Sequence, residues 1–169
     1  MLIIFRGLPG TGKTHLVRGL VRERPDLLVL SRDSLRAGIV PNPTFSSDEK
    51  GLVDDMIVAM AGFLLRRGRS VVIDGMALSS ARRVEDFVHA ARSMGAAFRI
   101  VECVCSETTA LARLGRDQGG HPAGDRGKKL YFEVQARFEP IAHPFLTVDT
   151  DRGTQETLEQ ILAHLDRQE

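Results

Sequence analysis

The most informative segment of this sequence is Gly7-Leu8-Pro9-Gly10-Thr11-Gly12-Lys13-Thr14. The eight residues fit the pattern G-x-x-x-x-G-K-[ST], in which glycines let the backbone curl so that successive N–H groups point at a phosphate. A short apolar run, Leu2 to Phe5, precedes the stretch, and an amphipathic run, Lys13 to Arg24, follows it. This order predicts a buried strand, a phosphate-binding turn, and a helix whose positive dipole end faces the bound anion.

The phosphate-binding turn, or P-loop, predicts a nucleotide site whose residues have separate roles. Lys13 is expected to reach the β- and γ-phosphates, and the hydroxyl of Thr14 is expected to ligate Mg²⁺. The residues expected to contact the nucleotide are Gly7, Pro9, Gly10, Thr11, Gly12, Lys13 and Thr14. A glycine-rich turn that binds nothing is the alternative, and the strand and helix on either side of the motif argue against it.

Outward from the P-loop, short apolar runs alternate with helical patterns. Four further strands are predicted at Leu27 to Leu30, Ser70 to Ile73, Ala97 to Val104 and Phe145 to Val148. The best-marked helix follows Ser46 and Glu49, which fit a capping box, and stops at Gly68. Ser31 to Ile39 is polar and a candidate for a short helical turn, and Thr154 is a candidate cap for the last helix. The alternation predicts an α/β fold, a five-stranded parallel sheet with helices on both faces, and a single domain over residues 1–169.

Charge and cysteine content exclude several classes of protein. The 169 residues include 23 Lys and Arg against 22 Asp and Glu, a formal net charge of +1. This balance gives no overall attraction to nucleic acid or membrane, so such binding would need a local patch. No apolar run approaches the roughly 18 residues of a membrane span, and no membrane partner or obligate protein partner is inferred. Cys103 and Cys105 are expected to be reduced core residues of a cytoplasmic protein.

The carboxyl ends of the second and third strands carry the next candidates. Asp33 and Arg36 lie in Ser31 to Arg36 (SRDSLR), and Asp74 ends the third strand. Because the carboxyl ends of parallel strands open onto one crevice, Asp33 is expected to accept the proton of an attacking hydroxyl, with Arg36 holding the acceptor. Asp74 is expected to orient the acceptor or to hold Mg²⁺ through water. A plain i, i+3 ion pair between Asp33 and Arg36, and a turn role for Asp74, are the structural alternatives.

Two further groups of arginines are candidates. Arg82 and Arg83 follow the third strand, and one of them is expected to reach the crevice. Residues 113 to 129 (RLGRDQGGHPAGDRGKK) are dense in glycine and charge, which predicts a lid. Arg113 and Arg116 are expected to stabilise the transferring phosphoryl group, a contribution worth about 10³–10⁵ in rate. A solvated loop is the alternative.

A P-loop alone does not distinguish a kinase from other nucleotide-binding proteins. The sequence has no Asn-Lys-x-Asp motif, which disfavours a GTPase, although it does not decide between ATP and GTP. The third strand ends with the single carboxylate of Asp74 rather than with an acidic pair, which disfavours a remodelling ATPase. The five histidines show no metal-ligand spacing, and no basic and aromatic residues alternate as in a single-strand-binding platform.

Several of these segments resemble one family over essentially the whole chain. The P-loop, Ser31 to Arg36, Val71 to Arg83 (VVIDGMALSSARR) and the lid resemble the P-loop kinases grouped around phage polynucleotide kinase, with zeta toxins and chloramphenicol phosphotransferase as more distant members. The resemblance implies strand order 2-3-1-4-5, ATP as donor, Asp33 as general base and Arg36 as an acceptor contact. The chain has Gly75-Met76 where the family has Thr-Asn, and its lid arginines are three residues apart rather than four.

The residues and the resemblance together predict a cytoplasmic kinase that depends on ATP and Mg²⁺. The leading acceptor is the 5′-hydroxyl end of a polynucleotide. A small-molecule kinase acting on a metabolite, nucleoside or antibiotic is the first alternative. A nucleotide-dependent ATPase or switch without an acceptor is the second.

Overall fold

The computed structural model describes residues 1–116 and 127–167. Across these residues there are five strands: β1 (Leu2–Arg6), β2 (Leu28–Ser31), β3 (Val71–Asp74), β4 (Phe98–Val104) and β5 (Leu146–Asp149). The helices are α1 (Lys13–Glu23), α2 (Arg32–Ile39), α3 (Ser47–Arg66), α4 (Ala81–Ser93), α5 (Glu107–Arg116), α6 (Lys128–Gln135) and α7 (Thr154–Leu165).

The five strands form one parallel sheet in the order β2-β3-β1-β4-β5. In the central strand β1, Ile4 is in register with Ile73 of β3 and Ile100 of β4. The predicted α/β fold and the implied order 2-3-1-4-5 are therefore confirmed. Because β1 is central, the P-loop that follows it emerges over the middle of the carboxyl edge of the sheet, where ligands bind in such folds.

The two faces of β1 explain why its sequence is a continuous apolar run rather than an alternating one. Leu2 and Ile4 point to the face covered by α3 and α4, whereas Ile3 and Phe5 point to the face covered by α1 and α7. All four side chains are fully buried. The sheet thus has a core on each side, and both cores hold the P-loop strand in place.

Local structure differs from the sequence-based expectation in two helices. The polar segment after β2 is a full eight-residue helix, α2, capped by Ser31, whose hydroxyl accepts from the Ser34 amide at 3.4 Å. In α7, Thr154 is the first helical residue, and Gly153 occupies the cap position assigned to it.

The capping box of α3 is only half formed. Ser46 Oγ accepts from the Glu49 amide at 3.2 Å, as predicted. The Glu49 carboxylate accepts instead from the amides of Thr44 and Phe45, at 2.6 and 3.2 Å. Phe45 has a φ of 55°, and this left-handed turn brings both amides to the carboxylate.

The predicted lid at 113–129 lies largely outside the described residues, since 117–126 are not among them. On either side of it, Leu114 of α5 and Tyr131 of α6 share a small apolar cluster. The single-domain boundaries stay a prediction. No helix in the two described ranges is long and apolar enough to cross a membrane.

A pair of glycine substitutions tests this packing. Gly10 has a φ of 81°, and a Cβ there would lie 2.5 Å from the Ala110 carbonyl oxygen of α5. We expect Gly10→Ala to lower the free energy of unfolding by at least roughly 1–3 kcal/mol through backbone strain. Gly62→Ala, in the middle of α3 with open space around it, should instead raise that free energy by about 0.5–1 kcal/mol.

Urea unfolding of the two variants beside the unmodified protein measures both changes. A Gly10→Ala variant as stable as the unmodified protein would contradict the close approach of the P-loop to α5.

Candidate active site

The P-loop backbone lies against two neighbouring elements. A Cβ at Gly7, whose φ is 144°, would lie 2.3 Å from the carbonyl oxygen of Cys103 in β4. Gly10 approaches α5 as closely, and Gly12 also has a positive φ of 81°. These three positions therefore require glycine, two of them because of backbone contact as well as conformation.

Lys13 and Thr14 open α1 at the mouth of this loop. The Lys13 ammonium donates to the carbonyl oxygens of Gly7 and Leu8 at 2.8 and 2.9 Å, so it lies over the curled backbone. Thr14 Oγ1 donates to Asp74 Oδ1 at 2.9 Å, which joins the loop after β1 to the end of β3. Asp74 is buried at this contact.

The Thr14 and Asp74 oxygens fit a magnesium ion. Mg²⁺ prefers hard oxygen ligands, and in nucleotide sites it keeps several waters and binds the substrate phosphates. A hydroxyl and a carboxylate at hydrogen-bonding distance supply this donor type beside the P-loop. Within residues 1–116 and 127–167, no cluster of three or more His, Cys, Asp or Glu could hold a metal by itself. An ion here would depend on these two residues, phosphate oxygens and water.

A cavity of about 790 Å³ opens above the P-loop. Its lining comes from the start of α1, from α2, α3, α5 and α6, and from the β3–α4 and β5–α7 loops. The predicted site residues that line it are Pro9, Gly10, Gly12, Lys13, Thr14, Asp33, Arg113 and Arg116. Asp74, Asp33 and Thr14 also line an adjoining cavity between α1 and β2. Gly7, Thr11 and Arg36 line neither cavity.

Arg36 lies behind Asp33 rather than in the cavity. Its side chain is 4% exposed and faces Asp33 at 3.7 Å and Glu49 at 3.1 Å. Its guanidinium also stacks on the ring of Phe45, 5.1 Å from the centroid. The i, i+3 pair that the sequence offered as an alternative is therefore present. Because Arg36 lines neither cavity, an acceptor bound in either of them would not touch its side chain in this arrangement.

Glu49 completes this buried group of charges. Burial opposes its ionisation, but hydrogen bonds from Thr44 and Phe45 and the charge of Arg36 together lower the pKa of the Glu49 carboxyl below its usual value. An ionised Glu49 holds Arg36, and Arg36 in turn faces the Asp33 carboxylate. The loop before α3 thus determines how the base candidate is oriented.

Gly75 supplies the space that Asp33 occupies. Its φ is 76°, and a Cβ there would lie 3.2 Å from the Asp33 amide and 3.3 Å from Asp33 Oδ2. The position where the resembled family has threonine is therefore in close contact with the start of α2. This packing keeps Asp33 next to the end of β3.

Arg113 connects two loops of the nucleotide side. Its guanidinium donates to Oγ1 and to the carbonyl oxygen of Thr150, both at 2.9 Å. Thr150 Oγ1 in turn donates to the carbonyl oxygen of Thr11 at 3.0 Å. Arg113 thus ties the P-loop to the β5–α7 loop, while Arg116 is exposed on the cavity wall.

The structure adds cavity residues that the sequence analysis missed. Lys50 and Asp54 lie four residues apart on α3, and Arg32 and Arg83 face Asp54 at 3.6 and 3.9 Å. Burial raises the pKa of the Asp54 carboxyl, and the two arginines oppose that shift. The i, i+4 spacing of Lys50 and Asp54, which puts both on one face of α3, was a usable signal. Of the predicted pair, Arg83 lines the cavity and Arg82 does not.

Arg137 is a second missed residue, and no sequence pattern marked it. It follows α6 and lines the cavity. Its neighbour Glu139 donates its amide to the Ser79 carbonyl oxygen at 2.8 Å. Long-range contacts of this kind bring the segment of residue 137 to the β3–α4 loop.

Solved structures with the same fold include several enzymes named as kinases. APS kinase of Mycobacterium tuberculosis, in complex with AMPPNP and APS, is 20% identical with a TM-score of 0.72, covering 98% of this chain and 97% of that one. A sugar kinase from Janibacter is 14% identical with a TM-score of 0.77, covering 98% and 94%. A gluconokinase from Sinorhizobium meliloti is 18% identical with a TM-score of 0.63, covering 96% and 90%. At these identities the likeness establishes the fold alone.

A comparison with known protein families identifies the family of this chain. No curated protein matches it significantly. Residues 2–139, from β1 to the segment after α6, match the family AAA_33, described as an AAA domain. The match spans most of the chain and includes the P-loop, α2, β3 and the flanks of the predicted lid. The chain therefore belongs to the AAA_33 family of AAA domains, and its fold is that of the P-loop kinases.

Proposed function

We propose that this protein is an ATP- and Mg²⁺-dependent kinase that transfers the γ-phosphate to a hydroxyl group. The observation that carries the proposal is that Lys13 and Thr14 of the P-loop share one cavity with the carboxylate of Asp33. Phosphoryl transfer needs a phosphate-binding site and a group that accepts a proton from the attacking hydroxyl. Both kinds of group face the same space here.

The P-loop side of the cavity would hold the nucleotide. Backbone N–H groups of residues 7–14 would bind the phosphates, and Lys13 would exchange its contacts with the Gly7 and Leu8 carbonyls for β- and γ-phosphate oxygens. Thr14, with Asp74 behind it, would hold Mg²⁺. When bound, that ion would neutralise charge on the phosphate oxygens.

Asp33 would act as the general base. Its carboxylate accepts the hydroxyl proton as the hydroxyl oxygen forms a bond to the γ-phosphorus, and the bond from that phosphorus to the β-phosphate oxygen breaks to release ADP. Arg116, on the cavity wall, is the arginine best situated to contact the transferring group. Arg113 would stabilise the same group from its position between the P-loop and Thr150, to which it is hydrogen-bonded.

The acceptor is proposed to be a small molecule rather than a polynucleotide end. The same cavity of about 790 Å³ would hold the nucleotide and the acceptor together. It lies within the roughly 300–1,000 Å³ of small-molecule sites, so the space left beside a bound nucleotide suits a small acceptor. The 5′-hydroxyl of a polynucleotide remains the competing acceptor from the resemblance to polynucleotide kinases. A kinase that uses ATP and keeps two free cysteines is expected in the cytoplasm.

Replacing Asp33 by Asn tests the class of activity. The variant lacks the proton acceptor, so we expect transfer of labelled γ-phosphate from ATP·Mg²⁺ to hydroxyl acceptors to fall by about 10²- to 10⁴-fold. ATP affinity should not change. Asp26→Asn, an exposed position in the turn after α1, is the matched control.

Each alternative gives a different result in that assay. Undiminished transfer by Asp33→Asn would refute the assignment of the base. Label that appears only as inorganic phosphate, equally with and without acceptor and equally in both proteins, would favour an ATPase or switch.

Replacing Lys13 by Ala tests the nucleotide site itself. Loss of charge-assisted hydrogen bonds to the phosphates should weaken ATP binding roughly 10- to 100-fold. Titration with a fluorescent ATP analogue measures the affinity. Arg92→Ala, which removes an exposed cation of α4 outside the cavity, should bind as tightly as the unmodified protein, and equal weakening in both variants would count against the proposed site.

Arg36 is expected to act through Asp33. Arg36→Met should lower kcat for transfer and leave the KM for the acceptor nearly unchanged, and Arg36→Lys should recover part of the rate because it restores a cation beside Asp33 and Glu49. Steady-state kinetics separate the two constants. A large rise in acceptor KM at constant kcat would instead support the direct contact implied by the family resemblance.

A further inference from the structure

The lining of the cavity is strongly positive, although the chain as a whole is nearly neutral. Nine arginine and lysine side chains and only two aspartates line it, whereas the net charge of the chain is +1. A bound nucleotide with its metal ion accounts for the cations nearest the P-loop, Lys13 and Arg113. The remaining cations are more than that ligand requires.

Several of those remaining cations are neutralised by the protein. Arg32 and Arg83 face Asp54, and Arg152 lies near the carboxylates of its own loop and of α7. Arg137 differs from them, because its side chain makes no hydrogen bond or ion pair with any other residue that the structure describes. Within those residues its guanidinium, on the lining of the cavity, has no counterion.

The backbone that carries Arg137 is held firmly. The Glu139 amide donates to the Ser79 carbonyl oxygen. The Glu139 carboxylate also accepts a hydrogen bond from the Ala81 amide at 2.7 Å. The fully buried Arg6, at the end of β1, donates to the Glu139 carbonyl oxygen at 2.8 Å. Arg137 therefore presents its guanidinium from a fixed position.

A contact near Arg137 links its segment to the acceptor side of the cavity. Glu139 donates its amide to Ser79, which belongs to the loop after β3, and β3 pairs with β2, the strand that leads to Asp33. The nucleotide side lies across β1, where Arg113 and Thr150 meet the P-loop. The segment that carries Arg137 is therefore joined to the side of the cavity that carries the base.

We infer that the acceptor is itself an anion, a hydroxyl compound bearing a phosphate or carboxylate group, and that Arg137 binds this group. The inference rests on the proposed kinase activity for its reaction and on the cavity geometry for its site. A guanidinium donates two parallel hydrogen bonds to a carboxylate or phosphate, which fixes both position and orientation. Held in this way, the acceptor keeps its anionic group unchanged while its hydroxyl is phosphorylated.

Binding of inorganic phosphate tests the site without turnover. The protein is first saturated with AMPPNP and Mg²⁺, so that the nucleotide site is filled, and phosphate is then titrated by calorimetry. We expect Arg137→Gln to weaken phosphate binding by about 10-fold or more, as for loss of a charge-assisted contact. Arg82→Gln, an exposed α4 arginine outside the cavity, is the matched control and should bind as the unmodified protein does.

Two control measurements on Arg137→Gln show whether the protein is folded and its nucleotide site intact. The melting temperature and the AMPPNP affinity of Arg137→Gln should match those of the unmodified protein, because an exposed side chain is changed. Equal phosphate binding by Arg137→Gln and the unmodified protein, or no saturable binding by either, would overturn the inference.

Matched acceptors test the substrate class. The pairs are glycerol and glycerol 3-phosphate, glucose and gluconate, and thymidine and thymidine 3′-phosphate, each assayed for transfer from labelled ATP. We expect kcat/KM to favour the anionic member, and Arg137→Gln to reduce that preference. The pair that shows the largest preference identifies phosphate, carboxylate or a nucleotide as the source of the anion.

The matched-acceptor assay distinguishes an error in the acceptor class from an error in the kinase assignment. Equal transfer to neutral and anionic members would overturn the inference and leave the kinase standing. Transfer to none of the six would count against the proposed kinase, and the phosphate titration alone would then decide whether Arg137 forms an anion site.

Discussion

Two glycines without side chains, Gly7 and Gly10, let the P-loop backbone pack directly against the sheet and α5. The P-loop backbone contacts the Cys103 carbonyl of β4 at one glycine and the Ala110 carbonyl of α5 at the other. Because these approaches are tight, the loop is fixed relative to the sheet and to the helix that leads into the predicted lid. Lys13 and Thr14 then follow at the mouth of the loop, where α1 begins.

Buried charges hold the two walls of the cavity at this loop. Arg6 is fully buried at the end of β1, and burial lowers its pKa against the opposing effect of Glu102, 3.2 Å away. Its bond to the Glu139 carbonyl fixes the wall that carries Arg137. On the other wall, Glu49 and Arg36 hold Asp33. Such pairs have a high desolvation cost, which fits a role in fixing positions better than a role in stability.

The local signals in the sequence predicted much of the fold and part of the site. Short, largely apolar runs marked all five strands, although β1, β2, β3 and β5 each end one residue later than predicted, β1 at a buried arginine. The parallel arrangement followed from alternation of strands and helices, while the strand order came from family resemblance. Asp33 and Asp74 were identified because each ends or follows a strand, and parallel strands put such residues at one edge.

Sequence alone thus determined the elements, the P-loop and the two aspartates, since each depends on neighbours within a few residues along the chain. Tertiary structure decided the orientation of Arg36, the brace made by Arg113 and the presence of Arg137 in the cavity. Contacts with Phe45 and Glu49 hold the Arg36 side chain outside the cavity. Thr150 accepts hydrogen bonds from Arg113. Hydrogen bonds of Glu139 with Ser79 and Arg6 hold the segment after α6 at the cavity. The direction of a long, charged side chain depends on partners distant in sequence, and no periodicity or spacing along the chain encodes those partners.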